Sequence, residues 1–258
     1  MEGLIKIAAV QTDVVAGSVR LTLAAIEAAL RDVGDVDVVV LPEMFATGFD
    51  VSNAAVGEPA DGPVLQWMRQ MAAQLDAAVE GSVAVADGSG RLCNRHYFVR
   101  PDQTADFYDK RHLFAFGGET RLYRGGEERV VVEWRGVRLL LQTCYDLRFP
   151  AFSRNHGDYD VAVYVASWPQ SRISAWDALL PARAIENAAY VVGVNRVGMA
   201  SGVAYDGHSR ILDHLGRPVA VVADSRVGVA VAEVDLERLR SFRSKFPVLD
   251  DADRFKIL

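Results

Sequence analysis

The stretch "VDVVVLPEMF" (residues 36–45) decides the architecture. From Val38 to Leu41 it is apolar at every position, with three β-branched residues in a row. A strand with one wet face alternates apolar and polar residues; a continuous run suits a strand covered on both faces, as in layered α/β proteins. Pro42 has no N–H to give to a ladder, so the strand should stop there and leave Glu43 at its mouth.

Working outward, "LIKIAAVQT" (4–12) reads as a second short strand, and "SVRLTLAAIEAALRDVGD" (18–35) as a helix with Ser18 at its N-cap and Gly34 past its end. "DGPVLQWMRQMAAQLDAAVE" (61–80) carries a proline near its first turn and places Leu65, Met68, Met71, Ala72 and Leu75 on one face, which predicts a helix lying on the sheet. Asp87-Gly88-Ser89-Gly90 marks a hairpin turn. Later runs, among them "VRLLLQTCYD", "YDVAVYVAS", "AYVVGVNRVG", "HSRILDHLGRPVAVV" and "GVAVAEVD", supply further strands, and "SAWDALLPARAIENAA" one more helix. The pattern predicts one α/β domain over residues 1–258 with helices covering sheet faces, and no linker or repeat divides it. Residues 241–258 read as a short mixed tail that could dock on its own domain or on a second subunit.

Composition narrows the partners. Net charge is −6 and no basic block runs along the chain, which argues against nucleic acid and leaves small molecules. Two cysteines, Cys93 and Cys144, make no disulfide framework, no Cys/His cluster has zinc spacing, and neither a metal nor a cofactor is expected. The N-terminal segment lacks the marks of a signal peptide, and no apolar run nears the ~18–20 residues of a membrane helix. The expectation is a cytoplasmic protein with no membrane partner.

Three reactive residue types stand where a strand yields to a loop: Glu43 after "VVVLP", Lys110 in "FYDKRHLF" and Cys144 after "LLLQT". Taken singly, each has a bland reading. Free cysteine is usually inert core, a glutamate after a strand is usually solvated, and Lys110 between Asp109 and Arg111 looks like ordinary surface charge. Together they make a chemistry, because the carboxyl ends of strands in α/β sheets are where sites assemble. A thiol of ordinary pKa needs a base to become a nucleophile. Glu43 could be that base, and Lys110 could hold the thiolate and then an oxyanion, with the Tyr145 amide as second donor.

These blocks, "VVVLPEMFATGF", "FYDKRHLF" and "LLLQTCYDLRFP", resemble in order and separation the three signatures of the nitrilase superfamily, the carbon–nitrogen hydrolases. The resemblance runs from "KIAAVQTD" to "PVLDDADRF". It implies an α-β-β-α sandwich, dimers that join sheets of two subunits, and a Glu43–Lys110–Cys144 triad acting through a thioester. It also points to Glu119 as a second glutamate that helps position substrate and water; without it, Glu119 reads as a surface-loop residue.

"CYDLRFP", "SWPQSR" and "GHSRILDHLGRP" are most similar to the omega-amidase branch, which implies hydrolysis of the terminal amide of 2-oxoglutaramate or 2-oxosuccinamate. Such substrates end in a carboxylate, for which an arginine is suited. Arg172 is the leading candidate. Arg148 could read substrate or brace its loop against Asp146, and Arg183 could simply pair with Glu186 at i+3. Phe45, Tyr145 and Trp168 could wall the pocket or belong to the core.

Rivals remain at this point. A papain-like site of Cys144, His208 and Asn195 lacks that family's local cysteine signature and leaves Glu43 and Lys110 idle. The same triad could serve another linear amide or an N-carbamoyl compound. A metabolite-binding pseudoenzyme should have lost a triad position, and none is lost here.

Overall fold

The computed structural model describes residues 4–257. Two six-stranded sheets face one another. The first is built from β1 (Leu4–Gln11), β2 (Val38–Val40), β3 (Ala78–Ala86), β4 (Leu92–Val99), β5 (Ala105–Asp109) and β14 (Gly228–Asp235), in the order β14-β1-β2-β3-β4-β5. The second contains β6 (Val131–Trp134), β7 (Val137–Thr143), β8 (Val161–Ala166), β9 (Tyr190–Asn195), β12 (Arg210–Leu212) and β13 (Pro218–Val221), in the order β13-β12-β9-β8-β7-β6. A two-stranded hairpin of β10 (Val197–Ala200) and β11 (Val203–Asp206) stands apart from both.

The uninterrupted apolar runs now have their reason. In β1, Ile5, Ile7 and Ala9 point into the core between the sheets, while Ala8 and Val10 pack outward beneath α1 (Val19–Leu30) and α2 (Pro63–Leu75). β2 divides in the same way, with Val38 and Val40 inward and Val39 outward. In the second sheet Leu139, Leu141, Val161 and Val163 face inward, whereas Leu140, Ala162 and Tyr164 pack outward with Leu180 and Ala184 of α3 (Ile173–Glu186). Period-two side-chain alternation thus feeds two cores at once, and the layers read α-β-β-α as expected.

Ser18 caps α1 by accepting a hydrogen bond from the Leu21 amide, as its position predicts. The helix ends at Leu30, and Gly34 instead serves the turn into β2 at φ +74°. "AYVVGVNRVG" is not one strand: it breaks after Asn195, whose side chain bonds the Trp168 amide (2.7 Å) and carbonyl (3.0 Å), and the chain leaves the sheet as β10. The first residues of the 241–258 tail complete a fourth helix, α4 (Leu236–Lys245), whose Leu236 and Leu239 are buried; within the tail, Arg243 makes three hydrogen bonds to the chain's own domain and the Phe255 ring lies 5.8 Å from His156. No helix among the described residues is long and apolar enough to cross a membrane.

Topology fixes where the site can be. β1-β2-β3 run parallel, as do β7-β8-β9, and β5 regains the direction of β3 through two antiparallel steps. The carboxyl ends of β2, β5, β7 and β8 therefore lie on one rim, and from them emerge Glu43, Lys110, Cys144 and Ser167.

Candidate active site

On that rim the three candidate residues come together. Glu43, Lys110 and Glu119 are all fully buried, and Cys144 is 9% exposed at the floor of a cleft of about 330 Å³. The Lys110 ammonium donates to Glu43 Oε1 (2.9 Å) and to Glu119 Oε2 (3.0 Å) and Oε1 (3.2 Å). Glu43 Oε2 accepts from the Ser167 amide (2.9 Å), and the Ser167 hydroxyl donates back to the Glu43 carbonyl (3.1 Å), stitching the end of β8 to the end of β2. Glu119, which looks like a surface residue in the sequence, is drawn inward by Lys110 and by the Phe114 amide (2.6 Å).

The backbone is strained at both strand ends. Cys144 has φ +48° and Met44, next to Glu43, has φ +46°. A left-handed conformation in a residue with a Cβ costs on the order of 1–3 kcal/mol and persists only where the surroundings impose it. Around Cys144 the constraint is visible. Asp146 Oδ2 accepts from the Thr143 amide (2.9 Å) and the Tyr108 hydroxyl (2.8 Å), Asp146 Oδ1 faces His112, and the Arg183 guanidinium donates twice to the Leu147 carbonyl (3.2 and 2.7 Å). Arg183 also pairs with Glu186, as its spacing predicts.

Charges in the cluster are uneven: two carboxylates face one ammonium. Burial alone would depress Lys110, but Glu119 and Glu43 outweigh it and hold the ammonium well above its ordinary range. Burial raises Glu119, against the pull of Lys110. Burial, then the adjoining Glu43 carboxylate, pushes the Cys144 thiol well up despite Lys110, so the resting group is a neutral thiol rather than a preformed thiolate.

The cleft sorts the remaining candidates. Tyr145, Arg148, Trp168 and Arg172 line it together with Cys144. Arg148 does not brace its loop, because Asp146 is already taken; its guanidinium lies over the Trp168 ring at 4.9 Å. Arg172 sits over Phe114 at 5.1 Å. Among the described residues neither arginine has a carboxylate partner. Phe45 does not wall the cleft: it is wholly buried beneath α2, 5.8 Å from Trp67, where the missing Cβ of Gly81 makes room for its ring. Phe49 takes the wall instead, 5.2 Å from the Lys110 ammonium.

The papain-like alternative finds no geometry. Asn195 is spent on Trp168 and Gly207, and His208 Nδ1 faces Asp177 at 3.0 Å. Cys93 is packed within β4, its thiol pushed up to about 11 by burial first and Asp109 second. No cluster among the described residues has three His, Cys, Asp or Glu side chains set to hold a metal.

Besides Phe49 and Ser167, two further participants escaped the sequence reading. Asn94 of β4 donates to both glutamates, and Tyr205 of β11 lines the cleft. Asn94 left a faint trace, since asparagine is depleted in strands and this one sits among buried neighbours. Tyr205 left none, because residues 199–207 fall between the runs "AYVVGVNRVG" and "HSRILDHLGRPVAVV" and carry no strand pattern that marks them.

Fold and site together define the class: an α-β-β-α sandwich with a buried carboxylate–ammonium–thiol cluster at the carboxyl ends of its strands. The chain belongs to the carbon–nitrogen hydrolase family, whose model, described as "Carbon-nitrogen hydrolase", matches residues 6–244. It is accordingly an enzyme of the carbon–nitrogen hydrolase type, as the three sequence blocks imply. Among curated relatives it is similar to omega-amidase YafV from Yersinia enterocolitica, 49% identical over 230 residues, covering 89% of each chain. It is also similar to 2-oxoglutaramate amidase from Bacillus subtilis, 35% identical over 219 residues, covering 83% of this chain and 84% of the relative. Among solved structures, a CN-hydrolase superfamily protein from Xanthomonas campestris, with an arsenic adduct in its active site, superposes with a TM-score of 0.94 at 39% identity, over 98% of this chain and 99% of that one.

Proposed function

We propose that this protein is an omega-amidase that hydrolyses the terminal amide of a small 2-oxo acid amide, 2-oxoglutaramate or 2-oxosuccinamate, to the 2-oxo diacid and ammonia. The observation that carries this reading is the cleft itself, where a thiol at the floor shares one space with two arginines that have no carboxylate partner among the described residues. A substrate with an amide at one end and a carboxylate at the other matches that pair of features. The similarity to proteins named omega-amidase and 2-oxoglutaramate amidase supports it.

In the proposed reaction the Cys144 thiol attacks the amide carbon while its proton passes to Glu43, so no free thiolate need exist in the buried site. The carbonyl oxygen becomes an oxyanion held by the Lys110 ammonium and the Tyr145 amide, which lies at the start of a 3-10 turn where amides have no partner in the turn itself. Collapse breaks the C–N bond, and the nitrogen leaves as ammonia with the proton from Glu43. Water then attacks the thioester, giving its proton to Glu43, and the carboxylic acid product departs as the thiol is restored. Glu119 keeps Lys110 charged throughout.

Arg172 and Arg148 are proposed to take the substrate carboxylate, with Trp168 and Tyr145 as walls. The deciding experiment compares kcat/KM for 2-oxoglutaramate with that for an analogue lacking the distal carboxylate. A cation left unpaired in the cleft should disfavour the analogue by at least ~10²-fold. Equal rates would remove the omega-amidase reading and leave hydrolysis of another linear amide. Residues 1–258 are proposed to work as one domain, in the cytoplasm, as a homodimer; sedimentation of a monomer would refute the last.

A further inference from the structure

We propose that Asn94 is a positioning residue for this reaction: its amide clamps the Glu43 and Glu119 carboxylates side by side and sets how readily Glu43 takes a proton. Asn94 is fully buried in β4 and lies outside the lining of the cleft. Its Nδ2 donates to Glu43 Oε1 (2.7 Å) and to Glu119 Oε1 (3.2 Å), and its backbone carbonyl accepts from the Lys110 amide (2.9 Å). One residue thus touches three members of the cluster from behind.

The amide orientation follows from chemistry. Both neighbours are carboxylate oxygens that only accept, so the NH₂ must face them; the reverse would set Oδ1 against Glu43 at the same short distance. The consequence is that Oδ1 is buried with no partner among the described residues. An asparagine kept only for packing would be expected to satisfy both ends of its amide. Here the donor end is fully used and the acceptor end is not, which marks the two N–H bonds as what the position supplies. With one ammonium between two carboxylates, these neutral donors offset the like-charge repulsion that Lys110 alone leaves, without adding a charge that would compete for the proton of Cys144.

Asn94 donates to both carboxylates that share the single Lys110 ammonium, so removing it leaves their repulsion less opposed and proton uptake by the cluster should begin at higher pH. The test is Asn94→Leu, similar in volume but without donors, together with Asn94→Asp, which keeps the shape. Two profiles are recorded against pH: kcat/KM on 2-oxoglutaramate, and the rate of Cys144 alkylation by iodoacetamide, followed on its peptide by mass spectrometry. In Asn94→Leu the acid limb of both should move up by about one pH unit, and kcat should fall at least ~10-fold with KM held within about threefold. An acid limb that stays in place, whatever the loss in plateau or stability, would show that Asn94 only packs. If that variant does not fold, Asn94→Asp decides. Its optimum should move toward acid pH, where the new carboxyl carries a proton and donates in place of the amide, and an unmoved optimum overturns the proposal.

The inference rests on Glu43 as base, and its failure is distinguishable from failure of that reading. If Glu43→Gln leaves the acid limb of alkylation unchanged, the assignment of Glu43 falls. If Glu43→Gln removes the limb and Asn94→Leu does not shift it, only the role of Asn94 falls. Alkylation does not depend on which amide is the substrate, so a wild-type enzyme inert toward 2-oxoglutaramate would leave the test of Asn94 intact.

Discussion

Cys144 shows how little a single side chain says about itself. In the sequence it is indistinguishable from a core cysteine, and in the fold it remains 91% buried. Its distinguishing property is a backbone held at φ +48° against an adjoining carboxylate. Cys144→Ala should therefore abolish ammonia release while costing no more than about 1 kcal/mol of stability by urea unfolding. Cys144→Gly should be more stable than Cys144→Ala by about 1 kcal/mol, because only glycine enters the left-handed region without strain. The reverse order would mean that the strain is not there. Lys110 differs in kind, since its loss leaves two buried carboxylates unopposed. Lys110→Met should destabilise by about 3 kcal/mol at pH 7, and the loss should shrink as pH falls and the glutamates take protons, a dependence that urea melts at two pH values would show.

At the level of elements, the turn that carries Cys144 is held from outside itself. α3 sends Arg183 under the turn to the Leu147 carbonyl, and β5 sends Tyr108 to Asp146. Burial first and Asp146 second push the Tyr108 phenol far above its ordinary range, so it stays a donor at any working pH. Arg183→Met would strip the Leu147 carbonyl of both donors; the expected cost is about 2 kcal/mol in urea unfolding together with a fall in kcat. A fall in neither would mean that the turn holds its own shape. The sequence assigned Arg183 to Glu186, and that pair exists, but spacing along a helix cannot reveal a partner reached through space. The hairpin of β10 and β11 was illegible for the same reason: Asn195 ends β9 by bonding across to Trp168, a contact 27 residues away.

For the molecule as a whole, Asp160 is a fastener between layers. It accepts from Arg138 at 2.8 Å and from Arg243 of α4 at 2.9 Å, at the start of β8. Burial would raise its carboxyl, but Arg138 and then Arg243 hold it below its ordinary value of 3.8. The sign follows: a depressed carboxyl stabilises the fold fully above its unfolded value and loses that contribution as pH falls through the folded one. Asp160→Asn should cost about 2 kcal/mol in urea unfolding at pH 7, discounted for the partly exposed Arg138. The gap to wild type should close below the ordinary carboxylate range, and a gap that persists there would place the interaction elsewhere.

The layered architecture was open to reading from the one-dimensional pattern, because a strand buried on both faces must be apolar throughout and a covering helix must carry a stripe. Glu43, Lys110 and Cys144 were legible because each follows a strand, and strands of one direction end on one rim. What the chain could not announce was which polar groups are forced inward. Glu119 turns in because the Lys110 ammonium and the Phe114 amide both donate to it, Asn94 because two carboxylates that share one ammonium are eased by a shared donor, and Phe45 stays in the core because Gly81 leaves it space. Those are pairwise matters between residues far apart in the chain, decided by desolvation and charge once the sheets have closed.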